Sequence, residues 1–392
     1  MIHLAGATVV LADRLLTPGR VSIENGRIID ISRCDAADGD LHGHYLVPGF
    51  IDVHVHGIEG TDALDGAGAV ARVAARLARR GVTAFCPTSV ACTPSALREM
   101  LRGISAARET AAPGAARVLP AHLESNFISR DFKGAQPEIC IRRPRETPEG
   151  DFSGQEILDV IAAARADVGI ITVAPEVDGV LELIPELVRH GHRISLGHSG
   201  ATYEQARAGI AAGARHATHL FNRMRPFGHR EPGLAGAILE TDAIAAEVIC
   251  DGVHVHPAAV RAAVAAKGIA KIMAITDGTA GSGMPRGASA TLGGRRITVG
   301  DAAYLDDGTL AGSVLTMDRA FMMLVKTMGF SLIEAAHLCA TTPARELALV
   351  GLGVIAPGAT ADLVVLDAEL NVVETYIGGV AVGAGPEPLA GR

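Results

Sequence analysis

Short, continuously apolar runs alternate with longer amphipathic stretches through the middle of this chain. The runs at 50–53, 82–87, 118–123, 169–174, 193–196, 215–218, 245–249 and 271–276 have the length and composition of strands buried on both faces. Apolar residues recur at helical spacing between several of them, over 69–80, 155–166, 180–190, 203–212 and 257–267. Gly81, Gly191, Gly213 and Gly268 stand where those helices should stop. This rhythm predicts a (β/α)8 TIM-like barrel, with a doubly wound open sheet as the alternative. The barrel is favoured because the candidate chemistry follows many different strands, and a barrel brings the C-terminal ends of all of them to one mouth.

The two ends of the chain follow another pattern. Segments 8–11, 21–24 and 28–31 are strand-like, with a hairpin signal at Glu24-Asn25-Gly26-Arg27. Segments 362–367 and 371–377 repeat the pattern, followed by Gly378-Gly379. Chain termini tend to be neighbours. The expected organisation is a small β-sandwich domain built from 1–48 and 355–392, around a barrel spanning 49–354. Residues 125–150, rich in Arg, Pro and Glu, read as a long loop after the third barrel strand, and 281–312 as a β-hairpin insert. Loops at that end of a barrel shape the pocket.

Composition narrows the picture. Hydrophobic residues are 48% and charged residues 20% of 392, a folded balance, and with no Trp and 3% aromatics the core must be aliphatic. A net charge of −8 argues against nucleic-acid partners. No signal peptide and no bilayer-length apolar run is evident, so the expectation is a cytoplasmic protein without a membrane partner. The six cysteines form no CxxC pair and read as buried thiols in a reducing compartment.

The candidate chemistry sits at the strand ends. His54 and His56, two apart in a strand, point to one face and can converge on one ion. Glu124 follows the third strand, His198 the fifth, His219 the sixth and Asp277 the eighth. Imidazoles and carboxylates without thiolate fit Zn, Fe, Mn or Co, as one ion or two. Such an ion acidifies water and polarises a carbonyl. Asp277 is placed to take a proton and return it to a leaving amine, which is hydrolysis of an amide or ester. No GxSxG, P-loop or GxGxxG motif supports serine or nucleotide chemistry. A non-catalytic barrel used for binding is the alternative of another class; such a protein would be expected to have lost these ligands.

Further segments join these: 48–54, His122-Leu123-Glu124, Gly197-His198-Ser199, His219-Leu220-Phe221-Asn222, Arg230-Glu231-Pro232-Gly233-Leu234-Ala235-Gly236, Asp251-Gly252-Val253-His254-Val255-His256, Thr276-Asp277 and Leu310-Ala311-Gly312-Ser313. Together, over essentially the whole chain, they resemble the N-acetylglucosamine-6-phosphate deacetylase family of the amidohydrolase superfamily. The resemblance implies Glu124, His198 and His219 as metal ligands and Asp277 as the acid/base. It implies Arg230 and His254 as phosphate contacts and Asn222 as a sugar or phosphate contact. The retained His54 and His56 imply a second ion bridged by Glu124, since Ala174-Pro175-Glu176 offers no counterpart of the superfamily's carbamylated lysine. A homodimer and release of acetate from a phosphorylated N-acetyl amino sugar are implied likewise. Two positions depart from the family pattern. Ser125-Asn126 replaces Gly-Pro, and Gln136 replaces a histidine that polarises the acetyl carbonyl; Gln136 can donate a hydrogen bond there but carries no charge. N-acetylgalactosamine-6-phosphate or another N-acyl substrate therefore stays open at this point.

Overall fold

The computed structural model describes residues 1–35, 39–145 and 150–383; loop residues 146–149 and the terminal stretch 384–392 assigned above to the small domain lie outside them. Each apolar run becomes a strand of one parallel sheet: Phe50–Val55, Val82–Ser89, Ala121–Leu123, Val168–Val173, Arg193–Leu196, His216–Ala217, Ala245–Ile249 and Ile272–Ile275. They are hydrogen-bonded in sequence order, first to second through seventh to eighth. Nearly every residue of these strands is buried, because side chains on one face fill the barrel and those on the other pack under helices.

The eighth strand returns to the first. Val55 and Gly278 form a parallel bridge, Asp277 N donates to His54 O at 2.9 Å, and His56 N donates to Gly278 O at 2.8 Å. An open sheet would leave these two strands at opposite edges, so the doubly wound alternative is excluded. The predicted helices appear at Ala69–Ala78, Gly154–Ala163, Val180–Arg189, Tyr203–Ala212 and Pro257–Lys267. Pro94–Glu109, Gly233–Glu240 and a helical run from Met317 to Glu346 supply further crossings. Phe321 stacks on Phe50 at a ring separation of 5.2 Å, tying that last run to the start of the barrel.

The small domain expected from the termini takes the form of one seven-stranded sheet. N-terminal strands Ile2–Val10, Leu15–Glu24, Arg27–Arg33 and Tyr45–Pro48 pair in it with Leu363–Leu366, Val372–Ile377 and Val380–Gly383. Tyr45–Pro48 lies antiparallel to Leu363–Leu366 and runs through Gly49 directly into the first barrel strand. The insert after the eighth strand is a three-stranded antiparallel sheet, Ser289–Leu292, Arg295–Val299 and Ala303–Tyr304, with its own small apolar core including Val90 and Ile297. Among the described residues no helix is long and apolar enough to cross a membrane.

Candidate active site

The residues at the C-terminal ends of the strands meet. Glu124 Oε1 lies 2.7 Å from His198 Nε2 and 2.8 Å from His219 Nε2, and those two nitrogens are 3.1 Å apart. Beside them, His54 Nε2 and His56 Nε2 face each other at 3.3 Å, with Asp277 Oδ1 at 3.3 and 3.2 Å from them. Glu124 joins the two groups, with Oε2 3.5 Å from His56 Nε2. All six side chains are buried.

The local backbone explains how they converge. His198, His219 and Asp277 have φ of 46°, 29° and 47°, in the left-handed region that side chains other than glycine avoid. Strain of this kind costs on the order of 1–3 kcal/mol per residue and persists where the surroundings dictate it. Here the strand ends must turn sharply to aim a side chain across the mouth. Gly197, just before His198, is required by close packing: a Cβ there would sit 2.7 Å from Thr218 Cβ. The helix after His198 is capped by Thr202, whose hydroxyl accepts from Gln205 N, so His198 is not spent as a cap. His256, by contrast, caps the helix Pro257–Lys267 by accepting from Ala258 N at 3.1 Å.

The donor set fits a divalent ion. His54 Nδ1 donates to Glu247 Oε2 at 2.9 Å, His56 Nδ1 to Thr88 O at 3.2 Å and His198 Nδ1 to Phe132 O at 2.9 Å. An acceptor opposite Nδ1 places the proton there in the neutral ring, which leaves the Nε2 lone pair for a metal. The buried Nδ1 of His219 has no such partner among the described residues. Glu124, His198 and His219 form one group able to hold an ion, and His54, His56 and Asp277 another.

Glu247, which the sequence reading did not single out, braces this arrangement. It accepts from His54 Nδ1, from His216 Nε2 at 2.7 Å and from His219 N at 3.2 Å. Burial would raise its carboxyl, but the charge of His54 and the hydrogen bonds from His216 and His54 outweigh that and hold it well below the usual range. The signal available in the sequence was a lone acid inside the apolar run Ala245–Ile249. His122 is pushed down to about 3 by burial and is therefore neutral: Nδ1 donates to Val53 O at 3.0 Å, and Nε2 accepts from the Thr172 hydroxyl at 2.8 Å.

Burial would likewise raise Glu124 and Asp277. His198, with His219 and His56, holds Glu124 well below the ordinary carboxylate value, and His54 and His56 hold Asp277 below it. Both are thus ionised at neutral pH. Asp277 can accept a proton from the open side of the site.

That side is a cavity of about 460 Å³, and Glu124, His198, His219, His56, Asp277, Asn222, His254 and Gln136 all line it. Arg230 does not: it lies on the segment leading to the helix Gly233–Glu240, and of these two exposed arginines it is Arg223 that stands in the wall. His254 Nδ1 donates to Asp251 Oδ2 at 2.7 Å. Burial lowers His254, but the Asp251 hydrogen bond and charge outweigh it, and the net shift is upward. Gln136 has both ends of its amide engaged, with Nε2 donating to Glu124 Oε2 and Oε1 accepting from Ala91 N at 2.7 Å. Ser125 and Asn126 face away from the cavity. The Ser125 hydroxyl donates to Thr172 O, and the Asn126 amide donates to Cys92 O at 2.8 Å and Cys140 O at 2.7 Å, which pins the long loop.

The amidohydrolase family model matches residues 45–382. The chain is 37% identical to the N-acetylglucosamine-6-phosphate deacetylase of Rattus norvegicus, over 97% of this chain and 93% of that protein. It is 35% identical to the N-acetylgalactosamine-6-phosphate deacetylase of Escherichia coli O157:H7, over 97% of this chain and 99% of that one. A solved structure of an alanine variant of the Mycobacterium smegmatis N-acetyl-D-glucosamine-6-phosphate deacetylase, in complex with N-acetyl-D-glucosamine-6-phosphate, superposes with a TM-score of 0.88 at 34% identity, covering 98% of this chain and 99% of that chain.

Proposed function

Since the chain belongs to the amidohydrolase family, we propose that it hydrolyses the acetamide of N-acetylglucosamine-6-phosphate, giving glucosamine-6-phosphate and acetate. The observation that carries this reading is the convergence of two three-donor groups, Glu124 with His198 and His219 and Asp277 with His54 and His56, at the base of a cavity that His254 also lines.

Glu124, His198 and His219 would hold one divalent ion, of the Zn, Fe, Mn or Co class, and His54 and His56 a second one beside Asp277. Such an ion supplies Lewis-acid polarisation of the acetamide carbonyl and acidification of water. Asp277, whose carboxylate lines the cavity, takes the proton of the attacking water and passes it to the departing amine nitrogen. Glu247 holds His54 and the His219 backbone in place while this happens. His254 presents a cation to the phosphate, with Asp251 securing its Nδ1 proton.

N-acetylgalactosamine-6-phosphate is the second reading, because a deacetylase for that epimer is nearly as similar to this chain. A homodimer is proposed on the resemblance; Phe227 and Val253, 57% and 43% exposed beside the cavity-lining Pro226 and His254, are side chains it could cover. A cytoplasmic location is in keeping with a charged sugar phosphate, which does not cross a bilayer unaided.

Acetate release by the metal-loaded chain, measured on both epimers with and without the 6-phosphate, tests the assignment. The glucosamine-derived phosphate should be the best substrate, and losing the phosphate should cost about 10–100-fold in kcat/KM, the equivalent of one or two charge-assisted hydrogen bonds. Absence of acetate from either sugar phosphate would refute it. The phosphate contact also has a pH signature. Asp251 raises His254, so wild-type His254 keeps its proton above the ordinary imidazole value near 6.5. In Asp251→Asn that proton leaves at lower pH. The ratio of variant to wild-type KM for the sugar phosphate should therefore grow from pH 6 to pH 8, reaching about 10-fold. A ratio independent of pH would remove His254 from the phosphate site.

A further inference from the structure

We infer that Arg223 is the residue of this chain that grips the phosphate of the substrate and sets its preference for phosphorylated sugars. The inference rests on the sugar-phosphate reading above. Sequence resemblance directs attention to Arg230, yet within the chain it is Arg223 that lines the cavity, alongside Asn222 and His254.

The guanidinium of Arg223 makes no hydrogen bond and no ion pair among the described residues. Neighbouring Arg225 differs, because its Nε donates to Gly200 O at 2.9 Å. Asp131 lines the same cavity without pairing with Arg223. Arg223 is exposed at the cavity mouth, so its five donors face solvent and are open to an incoming anion.

The backbone is bent to put it there. Arg223 has φ of 50°, and the conformation is fixed by its carbonyl, which accepts from Ser199 N at 3.0 Å, and by a bridge between Met224 and Ser199. The side chain then runs over Gly134, itself at φ +58°, where a Cβ would meet Arg223 Nε at 2.6 Å. The backbone at Arg223 thus sets the direction of the side chain, and Gly134 on a different loop leaves the room it runs through. His254 and Arg223 are close enough for the arginine charge to disfavour protonation of the imidazole. Two cations that repel across one cavity gain most when a dianion binds between them, and the planar fork of Arg223 suits two phosphate oxygens at once.

The test uses Arg223→Asn, since Asn tolerates the left-handed backbone, and Arg223→Lys, which keeps the charge but loses the fork. Kinetics are measured on N-acetylglucosamine-6-phosphate and on N-acetylglucosamine, with thermal melting to check folding. Arg223→Asn should raise KM for the phosphorylated substrate by about 10–100-fold with kcat changed by less than about threefold, and this rise should exceed any rise for the unphosphorylated substrate by at least about tenfold. Arg223→Lys should recover part of the loss. An unchanged KM, or equal effects on both substrates, overturns the inference. Binding of inorganic phosphate, read by calorimetry, separates this failure from failure of the substrate reading. If wild type binds phosphate and Arg223→Asn binds it at least about tenfold more weakly, the anion site stands even if the sugar phosphate is not turned over. If wild type and variant bind alike, or wild type does not bind, Arg223 is not that site.

Discussion

Asp277→Asn should lower kcat by between about 10²- and 10⁴-fold, the range spanned by removal of a general acid/base, while the Glu124 group still takes up metal. The substitution is nearly isosteric, and Asn tolerates the φ of 47° at this position. The backbone bonds around it, Asp277 N to His54 O at 2.9 Å and Ser313 N to Asp277 O at 2.8 Å, do not involve the side chain. What disappears is a carboxylate that can accept a proton; an amide cannot do so near neutral pH. Elemental analysis and single-turnover kinetics on the same preparation decide the matter. Activity within tenfold of wild type would remove Asp277 from the proton path.

Glu124→Ala should have the larger effect, bringing turnover to background and bound metal close to zero. This carboxylate faces His198, His219 and His56 at once, so its loss leaves both groups of donors without their shared anion. The protonation of the metal-free site points the same way. Burial depresses His54, but the charges of Glu247 and Asp277 outweigh it and raise the ring to about 9; Asp277 and Glu124 raise His56 to about 10 in the same manner. At pH 7.5 both rings therefore carry a proton that must leave before Nε2 can serve as a ligand. Metal uptake by wild type should release protons, and affinity should fall as pH falls. Calorimetric loading in two buffers of different ionisation enthalpy measures the release. A Glu124→Ala protein that retains metal and turnover would defeat the proposed centre.

Much of this is legible in the sequence. Strands buried on both faces write themselves as unbroken apolar runs, and the His54–His56 pair declares its shared face through the two-residue period of a strand. The limits have physical causes. Glu247 reads as an isolated acid because its partners His216 and His54 are 31 and 193 residues away. The left-handed backbone at His198 and His219 leaves no turn signature in the sequence, whereas Asp277, followed by Gly278, is of a type that turns favour. Arg223 and Arg230 share one loop, and nothing in their spacing says which of them faces the cavity. Ser125 and Asn126 depart from the family pattern next to a proposed metal ligand, which draws attention to the substrate; their hydrogen bonds instead go to the backbone of neighbouring loops.

The join between the eighth and first strands has a consequence for the molecule as a whole. The bonds that complete the ring, at His54, His56, Asp277 and Gly278, belong to the residues around the proposed second ion. Whatever loosens the wall there scatters the ligands, and whatever draws the ligands together fastens the wall. Resistance to unfolding and competence for chemistry are then linked quantities, and a cation held at that point would act as a rivet in the stave that shuts the cask.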